Sequence, residues 1–281
     1  MSNSIEKMIT DMELRGMSET TKESYLRHVQ LFIKFVGIDT DRINMEDIRN
    51  YIIYLKDVKS LSYGTINAHI SGIKFFYSIA LERDWDEKKV PRMRGYKSFP
   101  AVLSKNEVLD IINAVDNLKY KSILMLMYGS GLRVSEAAKL KVSNIDSKNF
   151  QILVSQSKNK SDRYAILPQR TLEVLRTYWL AHNKPRFWLF IGAKNDEHIS
   201  TKSIKNFVIR LKHKLKITKN ISAHTFRHCF ATHLLEAGTQ LPHIQHLMGH
   251  KSLKSTTRYL HMTSKAMMNI KSPIDLEDSN A

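Results

Sequence analysis

The sequence predicts a mainly α-helical chain of two domains, the second carrying a small antiparallel β element. Three observations carry that prediction. Apolar residues recur at helical spacing through the first hundred residues. The stretch from Asp84 to Pro100 has no such stripe and holds many charges together with Pro91, Gly95 and Pro100. Beyond it, helical stripes return on either side of two short β-prone runs. With 281 residues, 42% of them hydrophobic and 25% charged, the chain is long and apolar enough to bury ordinary cores without disulfides or metals. The expected division is a helical bundle over residues 1–83, a linker over 84–102 and a larger domain over 103–281.

Within the bundle, Ile5, Met8, Ile9 and Met12 form one short stripe. Thr20 and Glu23 have capping-box spacing and are expected to open a second helix carrying Tyr25, Val29, Phe32, Ile33 and Val36, which Gly37 stops. A third helix is expected from Met45 to Val58. Ser62 caps a fourth that carries Ile66, Ile70, Ile73, Phe76, Tyr77 and Ala80. Four helices with short connections make a small bundle.

Ser104 and Glu107 form a further capping box and start the second domain. An apolar helix around Ser122 to Tyr128 ends in Gly129-Ser130-Gly131, and Arg133 to Leu140 can form another short helix. Then the period changes. Gln151 to Ser155 and Tyr164 to Leu167 are β-prone runs around the polar Gln156 to Arg163, which reads as a hairpin or small antiparallel sheet. Helices are expected again from Arg170 to His182, from Thr201 to Lys216 and from His224 to Ala237, with Gly238 as the stop.

Charge narrows the function classes. Lys and Arg number 44 against 27 Asp and Glu, a formal net charge of +17, which points to a polyanionic partner. Residues 1–100 hold 16 basic and 14 acidic residues, and residues 101–281 hold 28 and 13, so the excess lies in the second domain. Its densest stretch, Thr201 to Asn220, contains Lys202, Lys205, Arg210, Lys212, Lys214, Lys216 and Lys219 and no acid. Ile204, Phe207, Val208, Leu211 and Leu215 give the same stretch one apolar face, so a helix with a basic exterior suited to phosphate contact is expected there. No apolar run approaches the roughly 18 residues of a membrane-spanning helix, and Met1 to Glu13 lacks the apolar core of a secretory signal. Nucleic acid is therefore the favoured partner. The single cysteine, Cys229, cannot form an internal disulfide, in keeping with a cytoplasmic address.

Several short motifs carry polar chemistry. Gly131-Leu132-Arg133-Val134-Ser135-Glu136 puts a guanidinium after a glycine turn at a helix start, with Glu136 at i+3. His224-Thr225-Phe226-Arg227 puts an imidazole and a second guanidinium on one helical face. Leu247-Met248-Gly249-His250 ends a helix with glycine and places His250 just beyond, and Tyr259 follows nine residues later. Seven of the twelve histidines lie between His224 and His261, and His224 with His228 have a spacing that zinc sites use. Arg227 stands between them where a metal site would place an acid, so no metal is expected.

Taken in order, Arg133, a lysine in a β-hairpin, His224-x-x-Arg227, Leu-Met-Gly-His250 and Tyr259 resemble the tyrosine recombinase, or phage integrase, family. The runs His224-Thr-Phe-Arg-His-Cys-Phe-Ala-Thr-His-Leu-Leu235 and Leu247-Met-Gly-His-Lys-Ser-Leu-Lys-Ser-Thr-Thr-Arg-Tyr259 are similar in style to its Xer and integron-integrase branches. The resemblance extends over the helical N-terminal domain and the linker.

It implies a SAM-like core-binding domain followed by a mixed α/β catalytic domain, closing on double-stranded DNA as a C-shaped clamp. It implies a site-specific recombinase that cuts through a 3′-phosphotyrosine intermediate without metal, ATP or other cofactor, working as a homotetramer on two DNA sites. Tyr259 matches the nucleophile, and Arg133 and Arg227 match the guanidiniums that offset charge on the nonbridging oxygens. His224 matches the residue that helps the tyrosine lose its proton, His250 the third active-site position, and Glu136 an acid that orients the first arginine. A hairpin lysine protonates the leaving 5′-oxygen. Counting back from Arg163, Lys158 takes that place, with Lys160 as the alternative and otherwise a backbone contact. DNA contacts are expected from Lys160, Lys202, Lys205 and Lys212. A DNA-binding protein without the chemistry and a type IB topoisomerase are the rival readings; the complete polar set opposes the first and the Xer-like motifs the second.

Overall fold

The computed structural model describes residues 2–95, 101–155, 162–194, 196–250, 252–257 and 259. The chain divides into two compact units, Met1–Ser98 and Phe99–Ala281.

The first unit contains α1 (Ser2–Leu14), α2 (Glu19–Val36), α3 (Met45–Asp57) and α4 (Tyr63–Phe75), which runs on into a π-turn at Phe76–Ala80. Their apolar stripes converge on a core in which Met8, Met12, Val29, Phe32, Ile48, Ile66, Ile73 and Phe76 are fully buried. Helix α2 starts earlier than the Thr20–Glu23 box predicts. Ser18 is extended and its hydroxyl accepts from Thr21 N at 3.3 Å, which leaves Thr20 inside the first turn. Gly37 stops the helix as expected, in the left-handed conformation at φ 70°. The expected linker also begins later than its composition suggests. Val90 is buried in the bundle core with Trp85 and Met93 against it, and the Asn67 side chain bonds both the N–H and the carbonyl of Met93, at 2.9 and 3.0 Å. Three well-placed apolar side chains outweigh the polar run in which they sit.

The second unit opens with α5 (Lys105–Asn113), where Ser104 and Glu107 form the expected reciprocal box, followed by α6 (Leu118–Gly129) and the short α7 (Val134–Ala138). A three-stranded antiparallel sheet follows, β1 (Ile145–Asp146), β2 (Gln151–Val154) and β3 (Arg163–Ile166), in the order β1-β2-β3. The two-residue β1 is too short to announce itself by alternation. Pairing of Ile152 with Ala165 and of Val154 with Arg163 puts all four on the buried face, so the sheet turns an arginine inward. Then come α8 (Gln169–Ala181), α9 (Thr201–Lys214), α10 (Ala223–Glu236), α11 (Leu241–Met248) and α12 (Lys254–Thr257).

Helix α10 is the axis of this unit. Every residue from Thr225 to His233 is buried, polar and apolar alike, with Cys229 fully enclosed as expected for a small core residue. Such a helix has no solvent face on which to park Arg227, His228 or His233, so each must find a partner inside the protein. Among the described residues no helix is long and apolar enough to cross a membrane.

Candidate active site

Glu136 organises the site. Its side chain is only 5% exposed, and three arginines surround it. Arg133, at the N-cap of α7, donates from its backbone N at 2.8 Å and from Nη1 at 2.6 Å. Arg163, from the inward face of β3, grips both carboxylate oxygens, Nη1 at 3.0 Å and Nη2 at 2.8 Å. Arg227, from α10, approaches to 3.6 Å. Burial pushes the carboxyl pKa up, but the hydrogen bond and charge of Arg163, the charge of Arg227 and the Arg133 N–H outweigh it and hold Glu136 at about 2.

That depression carries a prediction. A carboxylate held below its ordinary value contributes stability that is present above about pH 4.5 and is lost as the pH falls towards 2. The shift corresponds to roughly 3 kcal/mol, within the range for breaking one side of a buried ion pair. Glu136→Gln should therefore lose roughly that much against urea at neutral pH, and its gap from the wild type should shrink when the titration is repeated near pH 3. A gap that stays constant with pH would show that the carboxylate charge is not what stabilises the cluster.

Arg227 is the largest fully buried side chain among the described residues, 1% exposed. Its Nη1 donates to the Gly131 carbonyl and its Nη2 to that of Met248, with His250 Nε2 at 3.4 Å from the same Nη2. Burial, then the charge of Arg133, lowers its pKa to about 9 against the opposing pull of Glu136, which leaves the guanidinium charged at neutral pH. Gly131 must be glycine for this to work. At φ +65° it turns its carbonyl to Arg227, and a Cβ there would lie 2.5 Å from the Phe230 ring.

The histidines and the tyrosine lie beside this cluster. His250 follows the left-handed Gly249 that ends α11, and its Nδ1 meets Thr256 Oγ1 at 2.9 Å. Tyr259 is 1% exposed, packed with Phe230, Ala231, Ile244 and Met248, and its ring lies parallel to that of His250 at 6.4 Å. Its hydroxyl meets His228 Nδ1 at 3.0 Å, and the exposed His224 places its ring against that of His228, edge-on at 4.8 Å.

Of the residues singled out from the sequence, Arg133, Glu136, Arg227 and His250 thus share one hydrogen-bonded cluster, and Tyr259 and His224 both adjoin His228. Lys158 and Lys160 lie outside the described residues. Lys202 and Lys205 are exposed on α9, and Lys212 is half-buried at the border of the face that carries the buried Ile204, Val208 and Leu211. Two members of the site, Arg163 and His228, were not among the predicted site residues. Arg163 was detectable as a cation on the inward phase of an alternating strand, and His228 as the residue one turn after His224. Among the described residues no group of three or more His, Cys, Asp or Glu is placed to hold a metal ion.

An N-terminal helical bundle is thus followed by a unit that buries a carboxylate among three arginines, beside histidines and a tyrosine. The comparisons agree. Residues 5–87 match the N-terminal SAM-like domain of phage integrases, and residues 101–266 match the phage integrase family itself. The chain belongs to the phage integrase family, the tyrosine recombinases, and is an enzyme of DNA strand breakage and rejoining.

Among its relatives, the protein y4qK of Sinorhizobium fredii, provisionally named an integrase/recombinase, is 38% identical over 272 residues, 96% of this chain and 88% of that one. Tyrosine recombinase XerA of Pyrococcus horikoshii is 29% identical over 267 residues, covering 94% and 90%. A crystal structure of XerA recombinase covers 100% of this chain and 99% of that one with a TM-score of 0.56 at 25% identity. The XerH recombinase bound to its palindromic difH substrate after cleavage shares the fold, with a TM-score of 0.73 at 18% identity over 90% of this chain and 79% of that one.

Proposed function

We propose that Tyr259 is the nucleophile of a site-specific recombinase acting on double-stranded DNA, and that the cluster around Glu136 holds the phosphate it attacks. The observation that carries this reading is the placing of two arginines of one buried, carboxylate-anchored cluster next to the helix end that leads to Tyr259. In the cleavage step the tyrosine oxygen forms a bond to phosphorus, the bond to the 5′-oxygen breaks, and that oxygen departs with a proton. Arg133 and Arg227 offset the charge gathering on the nonbridging oxygens, and His250, hydrogen-bonded to Thr256 and next to Arg227, adds a third donor.

The tyrosine proton has His228 as its first neighbour and His224 beside that, which supports the assignment of His224 to proton removal. Lys158, with Lys160 as the alternative, protonates the leaving oxygen. Rejoining reverses these steps on a new strand, so the phosphodiester energy is conserved and no nucleotide cofactor is needed. Four copies working on two matched sites in the cytoplasm would integrate, excise or resolve a DNA element.

Covalent capture tests this. A library of nicked random-sequence duplexes, in which cleavage near the nick frees a short fragment and blocks rejoining, is incubated with the purified protein and then denatured. The expected result is DNA linked through a 3′-phosphate to the peptide containing Tyr259. No adduct, or an adduct on another residue, rejects the assignment.

The basic face of α9 gives a further expectation. If Lys202, Lys205 and Lys212 each neutralise one phosphate, replacing all three by alanine should lower the slope of log affinity against log salt by about 2.7. A slope equal to that of the wild type would remove this face from the DNA interface.

A further inference from the structure

The C-terminal end of α11 accounts for its carbonyls in an uncommon way. Those of Gln245 and His246 accept the backbone N–H groups of His250 and Gly249, at 3.1 and 3.0 Å. The next three lie where the helix stops and the chain turns at Gly249. Each accepts a guanidinium instead. Leu247 O takes Arg163 Nε at 3.0 Å, Met248 O takes Arg227 Nη2, and Gly249 O takes Arg133 Nη2 at 3.0 Å. The same three arginines surround Glu136. One helix end and one carboxylate therefore fix all three side chains from two sides.

Arg163 differs in how it holds the carboxylate. Its fork is spent on both oxygens of Glu136 and its Nε on Leu247, with the side chain 6% exposed. It also packs directly on the turn, since a Cβ at Gly249 would lie 2.8 Å from Arg163 Cδ. The β2–β3 register delivers it there, opposite Val154 and on the buried face of β3. It holds both oxygens of the carboxylate against which the other two arginines are set, so its task lies in the placement of its neighbours.

We propose that Arg163 is a positioning residue for DNA cleavage: by bracing Glu136 and the Leu247–Gly249 helix end against β3, it holds Arg133 and Arg227 in the arrangement that grips the phosphate. This rests on the reading above in which those two guanidiniums bind the scissile phosphate. A lysine at 163 keeps the charge but loses the planar fork, and a single ammonium cannot span two carboxylate oxygens and a carbonyl in the same geometry. Charge stabilisation of a transition state depends on groups fixed before the reaction begins, so a loosened pair of guanidiniums costs rate more than affinity.

The test uses the full chain and a nicked duplex that the wild type has selected by covalent capture, with its scissile phosphate either unmodified or replaced by a methylphosphonate. The methyl group removes the negative charge that the guanidiniums offset. At saturating DNA, Arg163→Lys should form the adduct about 100-fold more slowly than the wild type on the phosphate duplex. Its DNA affinity should stay unchanged. On the methylphosphonate the deficit should narrow to within about 10-fold, because less charge has to be offset.

Arg163→Met should show a larger loss of the same kind; should it fail to fold, the lysine variant decides. An equal deficit on both duplexes, or no deficit on the phosphate, overturns the proposal. The underlying reading is checked by Arg227→Lys on the same duplexes. If the wild type gives no adduct or Arg227→Lys shows no loss, the phosphate-grip reading fails and takes the role of Arg163 with it. A crippled Arg227→Lys beside an unimpaired Arg163→Lys rejects the Arg163 proposal alone.

Discussion

Tyr259→Phe should abolish the covalent adduct while leaving DNA affinity and folding close to those of the wild type. Phenylalanine keeps the ring that packs with Phe230, Ala231, Ile244 and Met248, so the apolar contribution of this small cluster is retained. What disappears is the hydroxyl and its 3.0 Å contact with His228 Nδ1, and a hydrogen bond of this kind has a net contribution of about 1 kcal/mol. Against that modest structural cost stands the loss of the only atom assigned to attack phosphorus, and no neighbouring donor or acceptor can replace a missing nucleophile. Gel retardation, urea unfolding and denaturing-gel capture of the adduct, run on one preparation, separate these terms. An adduct that persists in the variant reassigns the nucleophile, and Ser255 and Thr256 in the preceding helix become the next positions to map.

The separation between what the sequence revealed and what it concealed follows the range of the interactions. Local rules work within a few residues. The Ser104–Glu107 box, the left-handed stops at Gly37 and Gly249 and the β2–β3 pair all lie where spacing and turn chemistry put them. Thr20 misled because Ser18, two residues earlier, offers an equally good oxygen, and only the path of the entering chain decides between them. The long-range part was out of reach. Arg163 meets Glu136 across 27 residues and Leu247 across 84, and no periodicity encodes such pairs. The inward phase of β3 marks Arg163 as a buried cation but cannot name its carboxylate. For the linker, composition gave the wrong boundary because Trp85, Val90 and Met93 are few among many charges, yet they pack on the bundle core.

Burial and function are coupled in α10. A helix enclosed on all sides normally carries apolar residues alone, and placing Arg227, His228 and His233 there costs free energy unless each polar atom is met. The protein meets them in different ways. His233 is held by Tyr128, at 3.0 Å, and by the Leu103 carbonyl, at 2.9 Å, while Arg227 and His228 are directed to the site. The first arrangement is architectural, tying α10 to α6 and to the entry of the domain. The second ties a guanidinium to two carbonyls and an imidazole to the Tyr259 hydroxyl.

Arg227→Lys should show how strongly that rigidity matters. Two losses combine. The fork that reaches the Gly131 and Met248 carbonyls is gone, and removing one fixed donor from a developing oxyanion costs about 100- to 1000-fold in rate. The second loss is of charge. Burial and the neighbouring Arg133 and Arg163 already pull the guanidinium down from its ordinary value to about 9. A lysine starts lower, near 10.4, and the same burial and neighbouring guanidiniums would push its ammonium down further. Its charged fraction should then fall at a lower pH than that of Arg227, which stays charged until about 9. The rate of adduct formation by Arg227→Lys, taken relative to the wild type at each pH, should worsen as the pH rises and recover in part as it falls. A pH-independent ratio would assign the whole defect to lost geometry, and a ratio near one at every pH would remove Arg227 from the phosphate altogether.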